Sequence, residues 1–372
     1  MLLLAAFFWV AAAAGFAGYI AKWALLDESA RSSIGHMLDG TADRPFVYRQ
    51  LVPGIARLAD RTLPFGLKRL LTDFIRPELE FRRVQAITRP ELRFPYVVVY
   101  SLAFLSLFAS LFALRRAALD AGRSELAALL APAALALAFP YLQTVGGYFY
   151  DPVELLFFAL AWLLAVRGRL LLLIGLSVVA TLNKESFFFF LPALYPLLRQ
   201  TRTPWSGRLA VLAAMLLSGL VSLFAKWRYQ GNPGEIASLQ LFDNFERYGA
   251  PLTWLRLEST YGLPGPAGVF IGSILIAALI FRHGWPHCPQ AVREHLLIAA
   301  AINVPLVLAF AYTGELRNLS MLYVGFVVCS ACALDRMRPV VSPATGPDDV
   351  RPLRARAGEP GAGTRIEPRA DV

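Results

Sequence analysis

The sequence predicts an all-α, multi-pass membrane protein, and three observations carry that prediction. Of its 372 residues 57% are hydrophobic and only 17% charged, against roughly 45–50% and 25% in soluble domains. Mean hydropathy is +0.52. Charge-poor runs at residues 2–23, 96–114 and 209–224 approach the ~17–25 residues that a helix needs to cross ~30 Å of hydrocarbon. This balance excludes a water-soluble enzyme, a disordered scaffold and a disulfide-rich secreted module. The net charge of +10 is read as arginines flanking membrane spans and meeting anionic headgroups, with no nucleic acid as partner.

Residues 2–23 lack a basic leader region and exceed the ~7–15 residues of a signal-peptide core, so they read as a retained first span. A long outer loop follows at residues 25–95, with nine acids and twelve bases. Phe46, Val47, Leu51, Ile55 and Leu58 make one apolar stripe there, and Leu67, Leu70, Leu71, Phe74 and Ile75 a second. Both predict amphipathic helices lying on the membrane surface. Further spans are expected at residues 96–114, 126–142, 153–166, 209–224, 267–281, 295–312 and 319–334.

Between these lie two half-length apolar pieces, residues 170–182 and 187–198, separated by Asn183-Lys184-Glu185-Ser186. Arg115, Arg116 and Arg123, then Arg167 and Arg169, then Arg199, Arg202 and Arg208 mark three short loops as cytoplasmic. Both ends of the interrupted stretch then lie inside, so residues 170–198 form a broken two-helix hairpin with its polar tip outward. The expectation is about eight full spans plus this hairpin. They form one transmembrane domain over residues 1–335, with both termini cytoplasmic and a disordered cytoplasmic tail at residues 336–372.

So oriented, the chain gathers its unusual polar residues on the outer side: Asp39, Asp43, Arg44 and Arg49 from the first loop, Tyr150, Asp151 and Glu154 from the second, Asn183, Lys184 and Glu185 from the hairpin tip, and Glu315 and Arg317 from the last turn. Charge inside a membrane costs ~2.5–3.5 kcal/mol or more, so such residues suggest function. Structural alternatives exist for each. Asp43 and Asp151 suit helix starts, Lys184 and Glu185 suit buried pairing with each other or with Glu315 and Arg317, and Arg44 and Arg49 suit snorkelling to lipid phosphates. Cys329 and Cys332 lie in an apolar helix and read as inert. His283 and His287, interrupted by Pro286, carry no metal expectation.

The arrangement resembles the C-type glycosyltransferase superfamily of multispanning enzymes that use polyprenyl-phosphate sugars. The likeness rests on an acid shortly after the first span, Asp39 or Asp43, and on the acid opening Tyr150-Asp151-Pro152-Val153-Glu154. It rests also on a basic residue at the tip of a short broken pair, Thr181-Leu182-Asn183-Lys184-Glu185-Ser186. The resemblance implies sugar transfer from a polyprenyl-phosphate donor to a glycan, lipid or protein acceptor at the outer face of a bacterial-type inner membrane. It implies that Asp39 or Asp43 deprotonates the acceptor, while Arg44, Arg49, Lys184 or Arg317 holds the phosphate. Asp151 or Glu154 would orient the sugar or help bind a divalent metal ion, the one cofactor the likeness admits. A transporter or flippase of lipid-linked sugars, or a structural subunit of a polysaccharide assembly, is the alternative.

Overall fold

Backbone in hydrocarbon has no water to bond, so charge-poor runs close their hydrogen bonds internally as helices. A computed structural model describes residues 1–23, 29, 31–75, 90–259 and 264–337. The expected disordered tail beyond residue 337 and the later part of the first loop, residues 76–89, lie outside the described residues. The helices are α1 (Leu2–Trp23), α2 (Ile34–Asp39), α3 (Leu51–Thr62), α4 (Phe65–Ile75), α5 (Arg93–Asp120), α6 (Glu125–Leu142) and α7 (Asp151–Val166). They continue as α8 (Leu170–Asn183), α9 (Phe187–Leu198), α10 (Pro204–Arg228), α11 (Leu241–Gly249), α12 (Ile271–Gly284), α13 (Gln290–Phe310) and α14 (Leu316–Met337). Among the described residues the strands are a two-residue pair, Leu257–Glu258 against Gly265–Pro266.

The fold is all-α, and six of these helices, α1, α5, α6, α10, α13 and α14, are long and apolar enough to cross a membrane. Of the other expected spans, α7 has 16 residues and α12 has 14. The half-length pieces α8 and α9 are separate, as expected. Lys184 leaves the helical region at φ −161°, ψ 130°, which ends α8. Helix starts follow local chemistry: Ser124 accepts from Ala127 N to cap α6, and Thr203 accepts from Ser206 N to cap α10 ahead of Pro204.

Packing pairs α5 with α7, α8 with α10, α1 with α6, and α12 with α14. The buried core runs through Phe8, Phe16, Tyr96, Leu107, Phe158, Trp162 and Phe190. Helices α3 and α4 lie against α5, and Leu58, Phe65, Leu70 and Phe74 on them are exposed. Helix α11, absent from the sequence expectation, repeats the pattern. Its Asn244 is buried and donates to the Leu308 and Ala311 carbonyls, while Phe242 and Phe245 stay exposed. All three cysteines are free and buried, with Cys288 Sγ 3.4 Å from Cys332 Sγ.

Helices α1 and α6 touch backbone to backbone at Gly15. A Cβ placed there would lie 2.1 Å from the Ala136 carbonyl oxygen. Gly15→Val should therefore force the pair apart and cost about 1–3 kcal/mol. The expected readout is a lowered thermal midpoint of the detergent-solubilised protein, with no such loss for Gly175→Ala, where nothing lies within 4 Å.

Candidate functional site

One end of the helical bundle is closed by residues that hydrocarbon would reject. The 143–150 turn after α6 is pinned first: Trp23 Nε1 at the end of α1 donates to the Gln143 carbonyl at 2.6 Å. Gly147 lies where a Cβ would meet the Trp23 indole at 2.6 Å. This turn delivers Tyr148, Tyr150 and then Asp151, the first residue of α7. The cap position is Tyr150, not Asp151. The Asp151 carboxylate reaches back to Tyr148 N at 3.0 Å and Gln143 Nε2 at 3.2 Å.

Asp151 also accepts from two bases. Arg317 Nη1 lies 3.2 Å and Lys184 Nζ 3.6 Å from Asp151 Oδ1. Lys184 is held more closely by Glu154, one turn along α7, at 2.8 Å, and Ser186 Oγ donates to the same carboxylate. Arg317 turns its Nη2 to Glu315 Oε1 at 2.7 Å, while Glu315 Oε2 takes Asn318 Nδ2 at 2.9 Å and Tyr312 N at 3.2 Å. Asn183 Nδ2 donates to the Tyr150 carbonyl at 3.0 Å, which ties α8 to the start of α7. Arg49, from the first loop, reaches Glu185 at 3.0 Å and also donates to the Tyr150 hydroxyl.

The two guanidinium groups share an aromatic pair. Tyr148 and Tyr150 stack with centroids 5.0 Å apart and planes 7° from parallel. Arg317 lies 4.5 Å from the Tyr148 centroid and Arg49 lies 4.6 Å from that of Tyr150, distances at which a ring attracts a cation. Burial by itself would raise the Glu185 carboxyl, but the adjacent Arg49 guanidinium outweighs it and holds the carboxyl below the usual glutamate range. Burial pushes the Tyr148 hydroxyl the other way, above its ordinary value. Four carboxylates, Asp151, Glu154, Glu185 and Glu315, thus face three bases, Arg49, Lys184 and Arg317.

Above this network opens a cavity of about 400 Å³. Its polar lining includes Arg49, Tyr148, Lys184, Glu185, Glu315, Arg317 and Asn318, and its apolar lining Phe189, Ile236, Leu306, Val307, Phe310 and Met321. Of the residues singled out in the sequence, Arg49, Tyr150, Asp151, Glu154, Asn183, Lys184, Glu185, Glu315 and Arg317 come together in the bonded network. Asp39, Asp43 and Arg44 do not. Asp39 is exposed at the end of α2. Asp43 N donates to the Arg31 carbonyl at 2.9 Å, and Arg44 is joined to the 232–235 turn, with its N on the Pro233 carbonyl at 2.8 Å and its Nη2 on the Gly234 carbonyl at 2.6 Å. All three are outside the cavity lining.

Sequence reading missed Arg31, Lys226 and Glu235, which line the cavity. Lys226 carried a usable signal, a cation in the last turn of a span-length helix. A metal ion fits poorly here, because the oxygens of Asp151 and Glu154 are engaged by Lys184, Arg317 and Ser186. Among the described residues no group of three or more His, Cys, Asp or Glu side chains is set to hold one. Comparison with protein-family models, with curated proteins and with solved structures gives no match.

Two outcomes follow from the charge geometry. Arg317→Met strands Glu315 and half of Asp151's compensation, and should cost ~3–5 kcal/mol; adding Glu315→Leu should recover much of the loss in thermal midpoint. The Glu185–Arg49 pair stabilises fully above the ordinary glutamate value of ~4.3 and loses its effect as pH falls through the lower folded value. The midpoint difference between wild type and Glu185→Gln should stay constant from pH 7 to pH 5 and close below about pH 4.

Proposed function

We propose that this protein is a membrane glycosyltransferase. It moves a sugar from a polyprenyl-phosphate donor to a glycan, lipid or protein acceptor of the cell envelope, at the outer face of a bacterial-type inner membrane. The observation that carries the reading is a single cavity with a charged lining and an apolar lining, set at one end of a helical bundle. A lipid that bears a polar, anionic headgroup requires both chemistries side by side. The proposal keeps the C-type likeness and the finer topology: α1, α5, α6, α7, α10, α12, α13 and α14 as eight passes, α8 and α9 as a re-entrant pair. Arg115, Arg116, Arg123, Arg167, Arg169 and Arg199 at the opposite end would place that end and both termini in the cytoplasm.

In the reaction an acceptor hydroxyl oxygen attacks the anomeric carbon. The bond from that carbon to the phosphate oxygen breaks, its electron pair leaves on the phosphate, and the hydroxyl proton passes to a carboxylate. Glu315 is engaged by Arg317 and Glu185 by Arg49. Glu235 lines the cavity without a basic partner among the described residues, so it is assigned the proton, in place of Asp39 or Asp43. No step runs through a metal. Transport is disfavoured because the charges gather at one end of the bundle instead of along a path through it.

The test is transfer of radiolabelled sugar from polyprenyl-phosphate donors in membranes carrying each variant. Glu235→Gln should lower the rate by ~10²-fold or more at unchanged protein level, with Asp39→Asn and Asp43→Asn close to wild type. Loss in either aspartate variant would return the base to the first loop. No wild-type transfer across a broad donor and acceptor panel would overturn the enzyme reading.

A further inference from the structure

The bases buried beneath the cavity are already matched. Lys184 lies between Asp151 and Glu154, Arg317 between Asp151 and Glu315, and Arg49 against Glu185. With four carboxylates to three bases, this set repels an incoming phosphate more than it attracts one. Two further cations line the same cavity, Arg31 and Lys226, and neither has a carboxylate partner among the described residues. Arg31 is fixed at the wall: its carbonyl accepts from Asp43 N at 2.9 Å and its guanidinium lies 5.5 Å from the Phe46 ring centroid. Lys226 comes from the last turn of α10, across the sequence from Arg31 but on the same cavity. Glu235 also lines the cavity and has no basic partner among the described residues, so these three lining side chains together carry one net positive charge. Leu306, Val307 and Phe310 supply apolar lining to the same cavity, which suits a phosphate carried on a hydrocarbon chain.

We infer that Arg31 and Lys226 hold the phosphate of a lipid-borne ligand, while Arg49, Lys184 and Arg317 serve to fix the buried carboxylates in place. The inference rests on the proposed reading of the cavity as a lipid-phosphate site and reassigns the anion within it. It is tested by binding, without transfer. The full chain in detergent is titrated with citronellyl phosphate, with inorganic phosphate and citronellol as comparison ligands.

Wild type should bind citronellyl phosphate with a salt-dependent affinity, and citronellol and inorganic phosphate each at least tenfold more weakly. The double variant Arg31→Gln/Lys226→Gln should lose at least tenfold in affinity at an unchanged thermal midpoint. The charge-preserving Arg31→Lys/Lys226→Arg pair should restore most of it. If the double-glutamine variant binds as wild type does, the inference falls and the lipid-phosphate reading stands. If wild type binds citronellol as tightly as the phosphate, or binds neither, the lipid-phosphate reading falls with it. If inorganic phosphate binds as tightly as the lipid phosphate, the anion is not lipid-borne.

Discussion

Charge removed from water must meet opposite charge at hydrogen-bonding distance, and the ordered end of this bundle is arranged around that requirement. Asp151, Glu154, Lys184 and Arg317 are each nine-tenths or more buried. Any one of them alone would carry a desolvation cost that the helices could not offset. Together they are mutually satisfied, but only if α7, the tip between α8 and α9, and the start of α14 arrive in one register. The cluster therefore constrains the helices as much as the helices present the cluster.

The surrounding elements serve that register by ordinary means. The end of α1 pins the 143–150 turn through Trp23. The extended backbone at Lys184 turns the chain out of α8 at the depth where Glu154 waits. Arg49 brings the first loop onto the cluster through Glu185 and the stacked tyrosines. The result is a polar floor under an apolar-sided cavity, which is the geometry a headgroup on a hydrocarbon chain requires. The four carboxylates of that floor hold its three bases as counter-charges; in the proposed reading, recognition of an anion falls to Arg31 and Lys226 in the cavity lining.

Much of this was legible in the sequence because charge in an apolar context has few places to go. Lys184 and Glu185 interrupt two hydrophobic half-spans, and Asp151 and Glu154 open another; each stands out against its neighbours, and each lies in the network. The break between α8 and α9 was legible for the same reason. Asp39 and Asp43 had no such background. They sit in a loop with nine acids and twelve bases, where position in sequence says little about position in space, and the structure leaves both outside the cavity. Arg31 and Glu235 were hidden likewise in polar stretches, and only the folding of the first loop onto the 232–235 turn brings them to one wall. Helix α11 escaped notice because its nine residues are too few for a period to declare itself.

The central claim is that the charged network and its cavity occupy one end of the bundle and face the outside of the membrane. Ser238, in the cavity lining, and Ser206, beside the cap of α10 at the other end of that helix, mark the two sides. The direct measurement is labelling of Ser238→Cys and Ser206→Cys in intact cells with a membrane-impermeant maleimide, the three native cysteines being buried. The account predicts that Ser238→Cys reacts from outside and that Ser206→Cys reacts only after the cells are opened. The reverse pattern, or labelling of both from the same side, would contradict it.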